Sequence, residues 1–447
     1  MDSDSGRAGR EPSKLDIQTE LIVSACQAKG IDVGVARLPD GSLDFLYQRG
    51  VILVRSSYLD RVGEIVGAGE GRDEEGQAEA EEGGERSGHD HSIEGITRYS
   101  LAGARISDTL EALRAIDREL GPGIATPNHV FSITPVYPCP ATEPAQVPPD
   151  MPPDPGVCDG SGTGVSIYVP DTGLLEGAAS HPWLAGVAGL PDELPPPDSN
   201  GVVMIGEYTG HGTFVAGVAR CMAPASTVFV TDDFTTAGVL SEFEIVLRLN
   251  LALGLGVNII SLSAGGTTRH NLPPLSFEGF WSRYRSYKGV LLVAAAGNNS
   301  TRRPFWPAAF PQVVGVGALA ANGRGRAYFS DFGPWVDVYA PGEDLINAYA
   351  VGTYRYREPP RIGQEREFHG MARWSGTSFA TPLVAGLVAA RMTRTGENAR
   401  QAADALLATA RAQQVPGLGP VLLPCDRGDC DRGPAHCGCC GCQARDR

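Results

Sequence analysis

Two rhythms of apolar residues run along the chain. Between Gly50 and Ile133 short apolar runs alternate with segments of helical spacing. GVILVRS (Gly50 to Ser56) reads as a strand, SYLDRVGEIV (Ser57 to Val66) as a helix and GITRYSLAG (Gly95 to Gly103) as a second strand. Ser107 stands where it would cap a helix over SDTLEALRAIDREL (Ser107 to Leu120), and NHVFSI (Asn128 to Ile133) closes the set. The pattern predicts a small α+β module over residues 40–134, preceded by a partly helical leader over 1–39.

From Gly164 onward the strands become apolar throughout: VSIYV (Val165 to Val169), STVFVTD (Ser226 to Asp232), VNIISLS (Val257 to Ser263) and VLLVAAAG (Val290 to Gly297). Helical segments across Val239 to Leu255 and near Phe277 to Lys288 fall between them. Strands with no polar face imply a mostly parallel sheet covered by helices on both sides, so residues 161–412 are expected to form one α/β domain. In such sheets the functional site lies at the carboxyl ends of the strands.

Three stretches fit neither rhythm. Gly67 to Ser92 is too acidic to pack and reads as a disordered loop; its His89-Asp90-His91 has metal-ligand chemistry, but in a solvated setting. Residues 135–160 are proline-rich, favour extended polyproline II and predict a linker at a domain boundary. The tail, 413–447, holds Cys425, Cys430, Cys437, Cys439, Cys440, Cys442 and His436. That is the composition of a zinc site without a zinc-finger spacing; disulfides after export and an unstructured tail are the alternatives.

The 447 residues carry 20% charged side chains and a net charge of −15, which argues against a phosphate-backbone partner and so against nucleic acid. No apolar run approaches a membrane span and the first residues lack the pattern of a secretory signal, so the expected location is cytoplasmic unless export takes a non-standard route.

Candidate chemistry sits at strand ends and helix starts. PDTG (Pro170 to Gly173) follows VSIYV, GHGTFVAGVA (Gly210 to Ala219) opens a helix, and SGTSFATP (Ser375 to Pro382) opens another. A serine hydroxyl needs an imidazole to take its proton, and the imidazole needs a carboxylate to set its tautomer; Ser378, His211 and Asp171 are the matching set. Ser378 at a helix start lies in the positive end of the helix dipole, with a backbone N–H able to meet an oxyanion. Asn298, in AAAGNNS (Ala294 to Ser300), offers a second donor. Taken singly, Asp171 and Ser378 have structural readings as caps, His211 as a half-buried histidine and Asn298 as the end of a turn.

Taken together, D-T-G, H-G-T-x-V-A-G, A-A-A-G-N and G-T-S-x-A-T-P in this order resemble the subtilisin-like serine proteases, the subtilases, over about Gly164 to Met392. The resemblance implies an endopeptidase in which Asp171 orients His211, His211 is general base and then acid, Ser378 is acylated, and Asn298 with the Ser378 N–H binds the oxyanion. It implies that a protein or peptide substrate adds as a strand along Ser263, Ala264, Gly265 and Gly266. It also implies that no cofactor is required for chemistry. The module before the linker resembles, by position and pattern, an inhibitory chaperone propeptide, which would make the chain a self-processing zymogen.

Trp183, in HPWL, stands where many secreted members have a calcium-binding Asp, which counts against a structural calcium there; Phe214 and Phe379 replace a frequent His and Met. Phe305 and Trp306 follow Asn298 closely, and Val351 to Arg373 forms an insertion expected at the cleft rim. Asp232 and Asp233 could favour basic substrate residues, but with no acid assignable to the specificity pocket an apolar or mixed preference is expected. A catalytically silent scaffold is the alternative of another class, and an esterase using the same triad a third reading.

Overall fold

Seven strands in parallel form the central sheet, in the order Val338–Pro341, Val314–Leu319, Leu291–Ala295, Ile259–Leu262, Ser166–Asp171, Thr227–Asp232 and Ala188–Gly189. The computed structural model describes residues 14–67, 93–133, 141–158, 160–192, 194–234, 237–412 and 414–424. Most of the acidic stretch with His89-Asp90-His91, residues 134–140 and the cysteines from Cys425 onward lie outside these.

Because side chains alternate along a strand, each apolar run serves two cores. Ile167, Val169, Val228, Val230, Val293 and Val316 face the helices His211–Met222, Thr377–Thr395 and Ala399–Ala412. Tyr168, Ile260, Leu262, Leu292 and Ala294 face the helices Glu242–Gly254 and Ser276–Tyr284. Helices thus cover both faces, as expected from strands without a polar side.

The helices that begin at His211 and Thr377 cross closely. A Cβ on Gly386 would lie 2.6 Å from the Ala219 carbonyl oxygen and 2.6 Å from the Met222 Cβ, so only glycine permits this approach. Since one helix carries His211 and the other Ser378, their spacing sets the site.

The N-terminal residues form an antiparallel sheet of Val33–Arg37, Leu43–Arg55, Ala125–Ser132 and Ile96–Ser100. The helices Leu59–Val66 and Thr109–Leu120 bury Val62, Ile65, Leu113 and Ile116 against Ile52, Val54 and Tyr99. The leader contributes the helix Lys14–Ala28, and also the strand Val33–Arg37, which its sequence did not suggest. Asp108, not Ser107, caps the helix from Thr109, its side chain accepting from the Glu111 N–H at 2.8 Å.

Two further expectations change. Val239 to Leu255 is not one helix: Val239–Ser241 is a strand, paired antiparallel with Ala125–Ser132, and the helix starts at Glu242. The β-branched start of that run found a partner in another part of the chain, which helical spacing alone cannot reveal. Residues 141–158 are not a free spacer. Ala145–Gln146 pairs with Glu365–Trp374, Asp154 exchanges backbone hydrogen bonds with Ile346, and the buried Glu143 accepts from the Arg357 N–H at 2.6 Å. The insertion that begins at Val351 is part of a hairpin, Leu345–Arg355 with Glu365–Trp374, under which this segment is held.

Gly386→Val is expected to force the two helices apart and to cost about 1–3 kcal/mol or more, the usual penalty of overpacking a filled core; thermal unfolding would read this as a lowered Tm.

Candidate active site

Asp171 ends a central strand and His211 begins a helix, both fully buried. The Asp171 Oδ1 accepts from the Thr172 N–H at 2.8 Å and from His211 Nδ1 at 2.7 Å. With its Nδ1 hydrogen committed to a carboxylate, the neutral ring keeps a lone pair on Nε2, the basic nitrogen. That Nε2 is buried and has no hydrogen-bond partner among the described residues. Trp374 meets the ring edge-on at 5.8 Å and Phe379 packs at 5.4 Å, so the imidazole is held by aromatic walls. The Phe214 ring lies 4.4 Å from that of Phe379, tilted at 45°, and the two departures from the family pattern therefore pack on one another.

Ser378 is the second residue of its helix, next to Phe379. Pro382 lies four residues on and has no N–H, so the Ser378 carbonyl loses its helical donor. Ser263 Oγ donates to that carbonyl instead, at 2.8 Å. The Ser378 hydroxyl lies 3.3 Å from the Ile133 carbonyl oxygen and 3.4 Å from that of Ser263. Its proton is directed at these carbonyls in the present arrangement.

Asn298 lies just past the strand Leu291–Ala295 and is buried; its Oδ1 accepts from the Thr377 N–H and Oγ1, both at 2.9 Å. An amide held this way by its oxygen can serve a substrate only as a donor. Asp331 braces the segment from beneath, Oδ1 accepting from the Asn299 and Thr301 N–H groups at 2.9 Å each.

Ser263, Ala264, Gly265 and Gly266 form an edge that is already paired. Gly265 exchanges both backbone hydrogen bonds with Ser132, at 2.9 and 3.0 Å, and Gly266 does the same with Trp306. On the other side Val239–Ser241 pairs with residues 130–132, and the Ile133 N–H donates to the Gly238 carbonyl at 2.9 Å. The strand that ends the N-terminal sheet therefore lies between two edges of the large domain and leads to Ser378. Below it a buried clamp joins the two parts: His129 Nε2 accepts from the Arg269 N–H at 3.0 Å, so Nδ1 donates to Glu242 at 3.0 Å, and Ser276 donates to the other Glu242 oxygen.

Sequence reasoning missed Asp192, Asp331 and Arg220. Asp192 Oδ2 accepts from the Gly210 N–H at 2.7 Å and from Thr172 Oγ1 at 3.0 Å, joining the start of the His211 helix to the residue after Asp171. Burial pushes the carboxyls of Asp192 and Asp331 up to about 7. Isolated aspartates in loops carry no local signal for such roles. Asp233 is bound to Arg248 at 2.9 Å and to Thr231, a structural use rather than a substrate contact.

Trp183 donates its indole N–H to Asn347 at 2.9 Å, and around it Arg220 supplies a cation. The guanidinium donates to the carbonyls of Trp183 at 3.1 Å, Ala185 at 2.8 Å and Ser226 at 2.7 Å. These oxygens are the hard donors a calcium ion would need, and Arg220 already takes them, so the residues at this loop do not fit calcium. Among the described residues no group of three His, Cys, Asp or Glu side chains could hold a metal.

Residues 162–420 match the sequence profile of Peptidase S8, described as the subtilase family. Thermitase of Thermoactinomyces vulgaris is 30% identical over 269 residues, 58% of this chain and 84% of that protein. A thermophilic serine proteinase of Bacillus sp. (strain AK1) is 31% identical over 272 residues, 58% of this chain and likewise 58% of that protein. In fold, the chain is similar to fervidolysin from Fervidobacterium pennivorans, described as a keratinolytic enzyme related to subtilisin, with a TM-score of 0.51 and 19% identity over 83% of this chain and 58% of that one.

Arg220→Met is expected to lower stability by about 3 kcal/mol, because the buried Ser226 carbonyl and the partly buried carbonyls of Trp183 and Ala185 lose charged donors worth roughly 1.5–3 kcal/mol each when buried. The loss is read by thermal unfolding. Asp192 gives a pH signature. Its folded-state pKa of about 7 lies above the unfolded value, so the native state holds a proton that the unfolded chain has released. Stability then falls as pH rises from about 4 to about 7, by up to about 1.4 kcal/mol per pH unit. In Asp192→Asn the amide oxygen can keep both hydrogen bonds, so urea titrations at pH 5, 6 and 7 should show a shallower decline than in wild type.

Proposed function

The chain belongs to the subtilase family and is a subtilisin-like serine endopeptidase; we propose that Asp171, His211 and Ser378 are its catalytic triad, that Asn298 completes its oxyanion hole, and that the N-terminal residues act as a self-processed inhibitory module. The observation that carries the triad is the buried 2.7 Å bond between Asp171 and His211, which leaves Nε2 unpartnered beside the Ser378 helix.

His211 Nε2 takes the Ser378 hydroxyl proton as Oγ bonds to the carbonyl carbon of the scissile peptide. The ionised Asp171 stabilises the imidazolium that results. Charge gathers on the former carbonyl oxygen, where the Asn298 Nδ2 group and the Ser378 N–H donate to it; loss of one such donor typically costs about 100- to 1,000-fold in kcat. Collapse of this intermediate breaks the C–N bond, and the imidazolium gives its proton to the departing amine. Water, deprotonated by the same Nε2, then cleaves the acyl-enzyme, and the proton returns to Ser378. No cofactor enters any of these steps.

The zymogen reading is supported by the way Ser132 pairs with Gly265 while the Ile133 carbonyl oxygen lies 3.3 Å from Ser378 Oγ. A strand added to the cleft edge in this manner is how a substrate would bind, so the module blocks the site it resembles a substrate of.

Denaturing intact-mass analysis of wild type beside Ser378→Ala is the test. Wild type is expected to lose an N-terminal segment ending close to Ile133, and the variant to remain whole. If both stay whole and a fluorophosphonate fails to label Ser378 in wild type, the triad assignment is wrong.

A further inference from the structure

A cavity of about 250 Å³ lies on the side of the bound strand that carries Ser132. The large domain walls it with Gly265, Gly266, Thr267, Asn299, Thr301 and Arg303. One wall is the edge with which Ser132 pairs, and the other continues directly from Asn298. The module closes the rest with Ile22, Leu38, Leu43, Phe45 and Leu46 among others, so a side chain leaving a substrate strand on this face would lie against the large-domain wall. The opposite face is filled by Phe131 and Ile133, both buried, in apolar surroundings.

Arg303 is the charged residue of the large domain in this cavity, and its side chain is only 22% exposed. Its Nε donates to the neutral Asn271 at 3.0 Å. Its one carboxylate partner among the described residues comes from the N-terminal module: Nη2 donates to Asp44 Oδ1 at 2.6 Å, and Nη1 to the Asp44 carbonyl at 3.4 Å. Thr267 also donates to that carbonyl, at 2.5 Å. Arg303, on the wall of this cavity, is thus bound now by a carboxylate that the module delivers. Once the module leaves, the guanidinium has no acid of its own domain beside it among the described residues, and a planar fork of donors fits an incoming carboxylate.

We infer that Arg303 is a specificity-determining residue, selecting substrates that carry aspartate or glutamate on the strand face lying over Gly265 and Gly266, with Asp44 occupying its guanidinium while the module is seated. This rests on the reading of the chain as an active protease, and it adds a preference at a position other than the specificity pocket, for which the sequence led us to expect an apolar or mixed preference. The acid partner could not be anticipated, because Asp44 and Arg303 are 259 residues apart.

The test uses full-length wild type, Arg303→Gln, Arg303→Glu and Asp44→Asn. Each is given a proteome-derived peptide library, cleavage sites are read by mass spectrometry, and Ser378 labelling by a fluorophosphonate is measured in parallel. Wild type is expected to enrich Asp and Glu at one fixed position within about four residues before the cut, with kcat/KM at least about tenfold higher than for matched Asn and Gln peptides. Arg303→Gln should bring that ratio close to one and Arg303→Glu should shift the preference to Lys and Arg. The ratio is taken within each variant, so a reduced folded fraction does not alter it. Asp44→Asn should label faster than wild type, keep the acidic preference, and supply an open cleft if the wild-type module stays seated. Cleavage with no acidic enrichment, enrichment unchanged in Arg303→Gln, or labelling without peptide cleavage each overturns the inference while leaving Ser378 reactive. Absence of both labelling and cleavage in wild type and Asp44→Asn removes the protease reading and this inference with it.

Discussion

The carbonyl of Ser378 is the point on which the site is built. Pro382 removes the N–H that would have closed the helical hydrogen bond to it, and Ser263 supplies the missing donor at 2.8 Å. A proline so early in a helix would elsewhere be a defect; here it fastens the helix start to the strand edge. The same edge presents the backbone of Gly265 to an added strand, while Gly266 beside it is paired with Trp306. Ser378 and the edge that pairs with Ser132 are held to each other by one hydrogen bond, and the close crossing at Gly386 sets the distance from that pair to His211.

Around this point buried polar groups do the positioning. Asp192 ties the cap of the His211 helix to Thr172, Asp331 braces the turn that carries Asn298, and Asn298 ties that turn to Thr377. Each spans elements far apart in sequence, so a shift in one would move its neighbours. The cost is two carboxyls with raised affinity for protons inside the core.

The α/β architecture was legible because strands such as VLLVAAAG have no polar face, and only a sheet covered on both sides hides them. The residues singled out for chemistry stood at strand and helix ends, where short glycine- and threonine-containing motifs mark sharp changes of direction. What was hidden depends on contacts across the chain. Val239–Ser241 read as helix because its partner strand comes from the N-terminal sheet. Arg220 gave no signal, since three carbonyls are invisible in a sequence. Asp192 and Asp331 sit in loops whose composition suggests only solvent exposure, yet both are buried.

The two sides of residues 134–140 are anchored independently. Ile133 ends a strand paired on both edges, while the Ala141 N–H donates to the Ser375 carbonyl at 3.0 Å and the chain beyond it is woven under the hairpin of Leu345–Arg355 and Glu365–Trp374. A cut between these anchors would therefore break the covalent chain and release neither end. Scission and activation would be separate events with separate rates, the second governed by how fast a fragment now held only by sheet pairing, the His129–Glu242 clamp and the Asp44–Arg303 pair dissociates. Nicked protein would accumulate as a silent complex, and the onset of activity would follow dilution and ionic strength rather than the time of cutting.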